Sequence, residues 1–554
     1  MRIAQYYERL GNLPVASLSE PGDVKALVSG KPPLKGVPFD EISDDFEKII
    51  LPGITHWQHP SFFALYPANS TFESIIADMY SAAVNNPGFN WSCSPVTTDL
   101  EVVMMDWVAE LLGLGEIYKS ASKKGGGTIV GTASEACLTV AIAARERTLR
   151  YESSRMFPKM KELRLSDLSD IEVPPVAGRV HLTARERSEF TGKLVMYGTS
   201  ETHSMGEKSA LVLGLRWRPL PVKSQDGWSL RGDTLRQALE DDVANGLIPC
   251  MLVATLGTTN AGAMDTLDEI VEVAKDYPTL WIHVDAAWAG VYLSLPEYRS
   301  NLYLDTINQD HHILKTPPGV VNSFCTNFHK SGLVSFDCST FFIRDRSSLT
   351  EALELTPHYL KSKEGDSNVN LDFRNWGIPL GRRFRSLKLY FVLRSFGVEG
   401  FQNELRRTID LTNYFGKLIK QDDWFETVQE NSLALAIFRM KPPQGYLETN
   451  QSNHSNQKTS QANQIIDALN QRLGLLVQAT NKISLTSTIL DDKFCFRLAI
   501  GRMSEKFHID EAFKLFQDCL ETLKLELKLD ELLSKIEINE GLDHELDPMG
   551  ISEK

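Results

Sequence analysis

Apolar positions follow two alternating rhythms through the middle of the chain. Between Gly127 and about Arg374, short apolar runs at 194–197, 251–255, 280–284 and 340–344 are separated by stretches with helical spacing, such as 267–276. A further apolar run covers 320–324. Alternation of this kind predicts an α/β domain on a mostly parallel central sheet, with ligand-bearing loops at the carboxyl ends of its strands. Residues 98–113 predict a helix: Leu100, Val103, Met104, Trp107, Val108 and Leu111 fall on one face, and Gly113 ends it. Residues 39–50 carry Phe39, Ile42, Phe46, Ile49 and Ile50 at helical spacing, with no apolar partner within the first 55 residues.

After a helical stretch at 384–396 the pattern changes to a smaller α+β domain. Residues 435–440 and 494–500 read as strands, and 462–473 and 509–525 as helices. Residues 445–462, rich in Asn, Gln and Ser, read as a disordered surface insertion. An amphipathic helix continues over 523–536, before an acidic tail to Lys554. The expected organisation is an arm at 1–55, a large domain at 56–384, a small domain at 385–525 and a tail at 526–554.

Composition narrows the partners. The 554 residues are 42% hydrophobic and 23% charged, with a formal net charge of −14. That is an ordinary globular balance, and its acidic sign argues against a nucleic-acid partner. Seven cysteines stand singly at 93, 137, 250, 325, 338, 495 and 519, with no CxxC spacing. Neither a zinc site nor a disulfide framework is indicated, so no metal is expected; buried thiols of a cytoplasmic enzyme are. Residues 1–10 lack the apolar core of a secretory signal. Residues 51–72 have no charged side chain, yet three prolines, two histidines, Gln58 and Asn69 make a poor membrane span. They predict a buried, irregular segment that lines a pocket, and no membrane partner is expected.

Four stretches carry the candidate chemistry. Lys330 follows His329 just beyond the apolar run at 320–324, and a desolvated lysine amine can attack a carbonyl to form a Schiff base. Gly131-Thr132-Ala133-Ser134-Glu135-Ala136 joins an apolar run to a helical pattern reaching Arg147, as a phosphate-binding turn would. His203 lies just past 194–197, and Asp285 ends the run at 280–284. A phosphate cradle, a flat ring to stack, a carboxylate and a late lysine together suit pyridoxal 5'-phosphate (PLP).

In order and spacing these stretches resemble the aromatic-L-amino-acid decarboxylases, the group II PLP-dependent decarboxylases of fold type I. The resemblance runs from about His56 to Arg394. It includes His56-Trp57, Phe62-Phe63-Ala64, Ser94-Pro95, Met105-Asp106-Trp107, Gly131 to Ala136, His283 to Ala287, Phe336-Asp337-Cys338-Ser339, and a long late match from Ile378 to Lys388. It implies a fold type I large domain with an N-terminal helical arm and a smaller α+β C-terminal domain. It also implies a homodimer, with the arm wrapping its partner and the active site at the subunit interface.

The resemblance further implies roles. Lys330 would hold the cofactor aldehyde, Asp285 the pyridine nitrogen, and His203 the ring face and the substrate carboxylate. Ala133, Ser134, Asn327 and His329 would hold the phosphate, with Thr258 near ring or phosphate and Ala287 in the same pocket. Trp57, Leu65, Tyr66, Pro67 and Ala68 would line the substrate ring, and Pro87 and Phe89 would come from the other subunit. Tyr359, on a loop continuing through 363–368, would return a proton to the substrate; tyrosine there accompanies amine formation and phenylalanine accompanies aldehyde synthesis.

Gly381 matches a position that is glycine in indole-selective and serine in phenol-selective plant relatives. Tryptophan is therefore the favoured substrate, with tyrosine, DOPA and phenylalanine as further candidates. No basic residue stands at the matched positions to receive a second carboxylate. Two departures stand out: Leu65 replaces a frequent aromatic residue, and Ser331-Gly332 follows the lysine where relatives carry a bulky aromatic one. An aromatic acetaldehyde synthase and a catalytically impaired PLP-binding homologue remain the alternatives.

Overall fold

The apolar runs form strands. In the computed structural model, which describes residues 2–156, 182–309, 318–354, 372–441 and 455–527, seven of them build one sheet. They are β1 (Gly126–Val130), β2 (Leu194–Thr199), β3 (Arg216–Leu220), β4 (Ile248–Thr255), β5 (Trp281–Asp285), β6 (Val321–Asn327) and β7 (Ser339–Ile343), in spatial order β1-β7-β6-β5-β4-β2-β3. Neighbours from β6 through β3 pair in parallel, and β7 runs antiparallel to both β1 and β6. The predicted mostly parallel sheet is thus present. Strand β3 escaped the hydrophobic pattern because it is an edge strand on which only Leu220 is buried. Pro219 is tolerated there, since an edge leaves one side of the backbone unpaired.

Helix Ala133–Met156 lies against this sheet through small side chains, Ala136, Val140, Ala141, Ala143 and Ala144, all fully buried. Small residues let the helix backbone come close to the flat sheet, which fixes where its N-terminus points. Helix Pro95–Leu112 ends at Gly113, whose φ of 75° terminates it as the sequence predicts.

A second sheet contains β8 (Phe425–Thr427), β9 (Leu435–Met440), β10 (Thr486–Leu490) and β11 (Lys493–Ala499), antiparallel throughout in the order β10-β11-β9-β8. Its core is aromatic: Phe415, Phe425, Phe438, Phe496 and Phe516 are buried, and Phe438 meets Phe516 edge-on at 5.0 Å.

The chain divides differently from the expected boundaries. One compact unit is Asn69–Leu405; the other combines Met1–Ala68 with Arg406–Lys554. The segment before Asn69 joins the C-terminal unit because its backbone is bonded there. Phe63 donates its N–H to the Ser484 carbonyl at 2.9 Å and accepts from Ala499 at 3.0 Å. Helix Ser386–Gln421 crosses the other boundary as one element interrupted at Gly397. Helix Ser455–Ala479 begins within the stretch read as a disordered insertion, correcting that expectation over 455–462; residues 442–454 lie outside the described residues, as does the tail from 528. Residues 51–72 are largely buried and irregular, as predicted. Among the described residues no helix is long and apolar enough to cross a membrane.

Candidate active site

Strand direction and register gather the candidate residues of the larger unit on one edge of its sheet. Thr255 and Asp285 end β4 and β5 and stand side by side with Cys325, two residues before the end of β6. Val130, Ser339 and Asn327 form a second row across β1, β7 and β6. Gly131 follows the first member of that row, and Lys330 follows the last by three residues. Thr258 follows β4 and His203 follows β2 on the same edge. Ligand sites in open α/β sheets form at this edge because the loops leaving successive strands converge there.

Electrostatics tie three of these residues together. Asp285 is 4% exposed, and burial pushes its carboxyl above the usual range. The Lys330 charge, the Ala287 N–H at 3.0 Å and His203 pull in the opposite direction without cancelling it. An aspartate with raised basicity is suited to share a proton with a pyridine nitrogen. Partial desolvation holds the His203 imidazole below its ordinary value; Asp285 opposes the shift and Lys330 reinforces it. His203 Nδ1 accepts from the Met205 N–H at 3.2 Å, which leaves the Nε2 hydrogen to donate elsewhere. Lys330 is half-buried, and its carbonyl accepts from the Asn69 N–H at 3.1 Å.

His329 is clamped from both sides. Its N–H donates to the Cys338 carbonyl at 3.2 Å, and its Nδ1 accepts from the Cys338 N–H at 2.9 Å. Burial, with the Lys330 charge adding to it, pushes its pKa down to about 4, so the ring is neutral near pH 7 with Nε2 as a donor.

The residues fit a phosphate ester. Ala133 and Ser134 open helix Ala133–Met156, where unpaired N–H groups and the helix dipole favour an anion. Ser134 is exposed and Ala133 buried. A Cβ at Gly131 would lie 3.0 Å from Asp337 Oδ2 and 3.2 Å from Glu135 Oε2, so a glycine keeps the turn open. Asn327 Oδ1 and Ser339 Oγ, neighbours in one register row, are buried with no hydrogen-bond partner among the described residues. The Ser339 hydroxyl left in that state is a donor available to a ligand, whereas the Asn327 amide oxygen can only accept.

Of the substrate-side candidates, Pro87 and Gly381 are brought together: the Arg382 N–H donates to the Pro87 carbonyl at 2.7 Å, and Phe89 is half-buried two residues on. Trp57, Leu65, Tyr66, Pro67 and Ala68 belong to the other unit. There Trp57 stacks on Phe62 at 4.9 Å, Leu65 has a φ of 55° and donates its N–H to Thr486 Oγ1, and the Tyr66 ring lies under the Arg497 guanidinium at 5.1 Å. Tyr359 lies outside the described residues.

Sequence reasoning passed over several supporting residues. Arg385 grips Asp337 with two bonds of 3.0 Å, and buried Lys388 pairs with Asp78 at 3.0 Å while donating to the Ser335 carbonyl at 3.1 Å. Both cations lie in the late matching stretch, and both tie down the loop that follows Lys330. Ser331 is buried and accepts from the Tyr292 hydroxyl at 3.3 Å, so its position is filled by a polar contact.

Comparison with known proteins agrees with this geometry. A family model described as the pyridoxal-dependent decarboxylase conserved domain matches residues 21–170 and 177–441. Tyrosine decarboxylase 2 of Narcissus pseudonarcissus is 36% identical over 521 residues, 93% of this chain and 91% of that one. Phenylacetaldehyde synthase of Arabidopsis thaliana is also 36% identical, over 93% of each chain. A crystal structure of Oryza sativa TDC with PLP and tryptamine superposes with a TM-score of 0.81 at 29% identity, covering 94% of this chain and 96% of that one. The chain belongs to the pyridoxal-dependent decarboxylase family, in its group II branch, and is a carboxy-lyase whose cofactor is pyridoxal 5'-phosphate.

Proposed function

We propose that this enzyme converts aromatic L-amino acids to arylalkylamines and carbon dioxide, with tryptophan preferred. The observation that carries the reading is the mutual electrostatic influence of Lys330, Asp285 and His203 at the sheet edge that also bears the helix N-terminus at Ala133. Bound there, PLP supplies a ring that withdraws electrons from the substrate's Cα.

The chain's own residues do the rest. Lys330 would hold the cofactor aldehyde. Asp285 keeps the pyridine nitrogen protonated. His203 covers the ring face and uses its Nε2 hydrogen on the substrate carboxylate. Ala133, Ser134, Asn327 and His329 hold the phosphate, with Thr258 and Ala287 completing the pocket. Tyr359 returns a proton to Cα once carbon dioxide has left, which requires that bulk water be kept out. Trp57, Leu65, Tyr66, Pro67, Ala68, Pro87 and Phe89 receive the aromatic ring. A Cβ at Gly381 would meet nothing within 4 Å, so glycine leaves space where a serine side chain would project; that space favours an indole.

The active form is a homodimer in the cytoplasm. The arm carries Leu18, Leu27, Leu34, Phe39 and Ile42 exposed, apolar surface that a second copy would cover; sedimentation as a monomer would contradict this. Seven free cysteines, six of them buried, suit a reducing compartment. A second reading, an aldehyde synthase, is kept in view by the Arabidopsis relative, and Tyr359 argues against it.

Replacing the lysine tests the assignment. Lys330→Ala should lose both turnover and the visible absorbance of the bound cofactor. Normal turnover in that variant would move the aldehyde-holding amine to another residue.

A further inference from the structure

One buried ion pair lies between the sheet and the two substrate-side loops. Glu101, in helix Pro95–Leu112, is 1% exposed. Its Oε1 accepts from the Thr128 hydroxyl at 2.7 Å, from the Ile129 N–H at 2.9 Å and from the Arg382 guanidinium. Arg382 Nη2 also donates to Thr128 Oγ1 at 3.0 Å and to the Ile129 carbonyl at 3.1 Å. Its guanidinium carbon stands 4.8 Å from the centroid of the Phe373 ring. The side chains of the pair are 11% and 2% exposed, so water can do little to replace these bonds.

The backbone of the same arginine reaches the substrate side. Its N–H donates to the Pro87 carbonyl at 2.7 Å. Gly88, at a φ of 46°, packs so closely that an added Cβ would stand 2.9 Å from Thr97 Cγ2 and 3.5 Å from the Arg382 carbonyl oxygen. Asn86 Oδ1 accepts from the Gly88 N–H at 2.8 Å and fixes the turn. Gly381 is the residue immediately before Arg382. A displacement of the guanidinium would therefore move Gly381 and the 87–89 loop together.

We infer that Arg382, anchored by Glu101 and Thr128, is a positioning residue that sets the placement of Gly381, Pro87 and Phe89 and so the choice between indole and phenol side chains. This rests on the proposed assignment of those three residues to the substrate pocket. Planarity matters to the anchor: Nη2 alone serves a carboxylate, a hydroxyl and a carbonyl while the flat guanidinium lies over the Phe373 ring, a placement that a lysine ammonium cannot reproduce.

The test compares the PLP-loaded wild type with Arg382→Lys and with Thr128→Val, a milder change that keeps the ion pair and removes only the hydroxyl. Each is assayed with L-tryptophan and with L-tyrosine, and each is titrated calorimetrically with both. The ratio of kcat/KM for the two substrates should shift by about tenfold in Arg382→Lys and about threefold in Thr128→Val, since small misplacements of binding groups carry effects of this order. The change should fall on KM, with kcat within about twofold and cofactor absorbance and release unchanged. Unchanged KM and unchanged preference in both variants would overturn the inference. So would a joint fall in kcat and cofactor retention, which would assign the pair to the phosphate side. A wild type that binds both amino acids yet forms no amine would contradict the proposed reaction, while the calorimetric ratios would still decide the role of Arg382.

Discussion

Single residues show best how burial sets charge in this molecule. His283 is fully buried in β5, its Nδ1 is 2.8 Å from Ser323 Oγ, and desolvation pushes its pKa down to about 3. In the unfolded chain an imidazole titrates near 6.5, so between these values the unfolded state takes a proton that the folded state refuses. The stability that neutral His283 contributes is whole above pH 6.5 and is lost as pH falls toward 3. The stability gap between wild type and His283→Gln, measured by urea unfolding, should therefore narrow by about 1.4 kcal/mol between pH 7.5 and 5.5. A gap that stays constant would mean that the imidazole is not held neutral.

Lys330, Asp285 and His203 were legible in the sequence because each follows an apolar run, and strand ends are where ligand chemistry collects. Glu101 and Arg382 were not, because 281 residues separate them and only the folded sheet brings them together.

At the scale of elements, local pattern located most strands and missed those without a buried face. Strand β3 has one buried residue in five, so no apolar alternation marks it. Helix Ala133–Met156 runs nine residues past the predicted end at Arg147, because its last turns are polar and lack the apolar stripe that defines a helix by eye. The predicted helix at 384–396 stops next to a real discontinuity. Gly397, at φ 62° and ψ −178°, interrupts Ser386–Gln421 in a region of conformational space open essentially to glycine. A Cβ there would meet nothing within 4 Å, so Gly397→Ala should cost about 1–3 kcal/mol through backbone strain alone. A lowered thermal midpoint with an intact cofactor absorbance is expected; an unchanged midpoint would mean that the helix adapts to the new residue.

The whole molecule departs from the sequence reading in where its units divide. Residues 56–68 carry the aromatic matches of the large domain, yet the backbone bonds of Phe63 assign them to the C-terminal unit. No pattern within thirteen residues announces pairing with Ser484 and Ala499, more than four hundred positions away. The identity of the enzyme was more legible than its boundaries, because matches spread from His56 to Lys388 carry the family in their order.

What the family leaves open is the fate of the substrate carbon, since its members here include both a decarboxylase and an aldehyde synthase. Tyr359 is the residue on which the account decides between them. The direct test is a product assay of the PLP-loaded enzyme and its Tyr359→Phe variant with tryptophan, tyrosine, DOPA and phenylalanine. Amine, aldehyde, ammonia and hydrogen peroxide would all be quantified. The wild type should give amine in step with carbon dioxide and no peroxide, fastest with tryptophan, and the variant should give aldehyde with peroxide. Aldehyde, ammonia and peroxide from the wild type would contradict this.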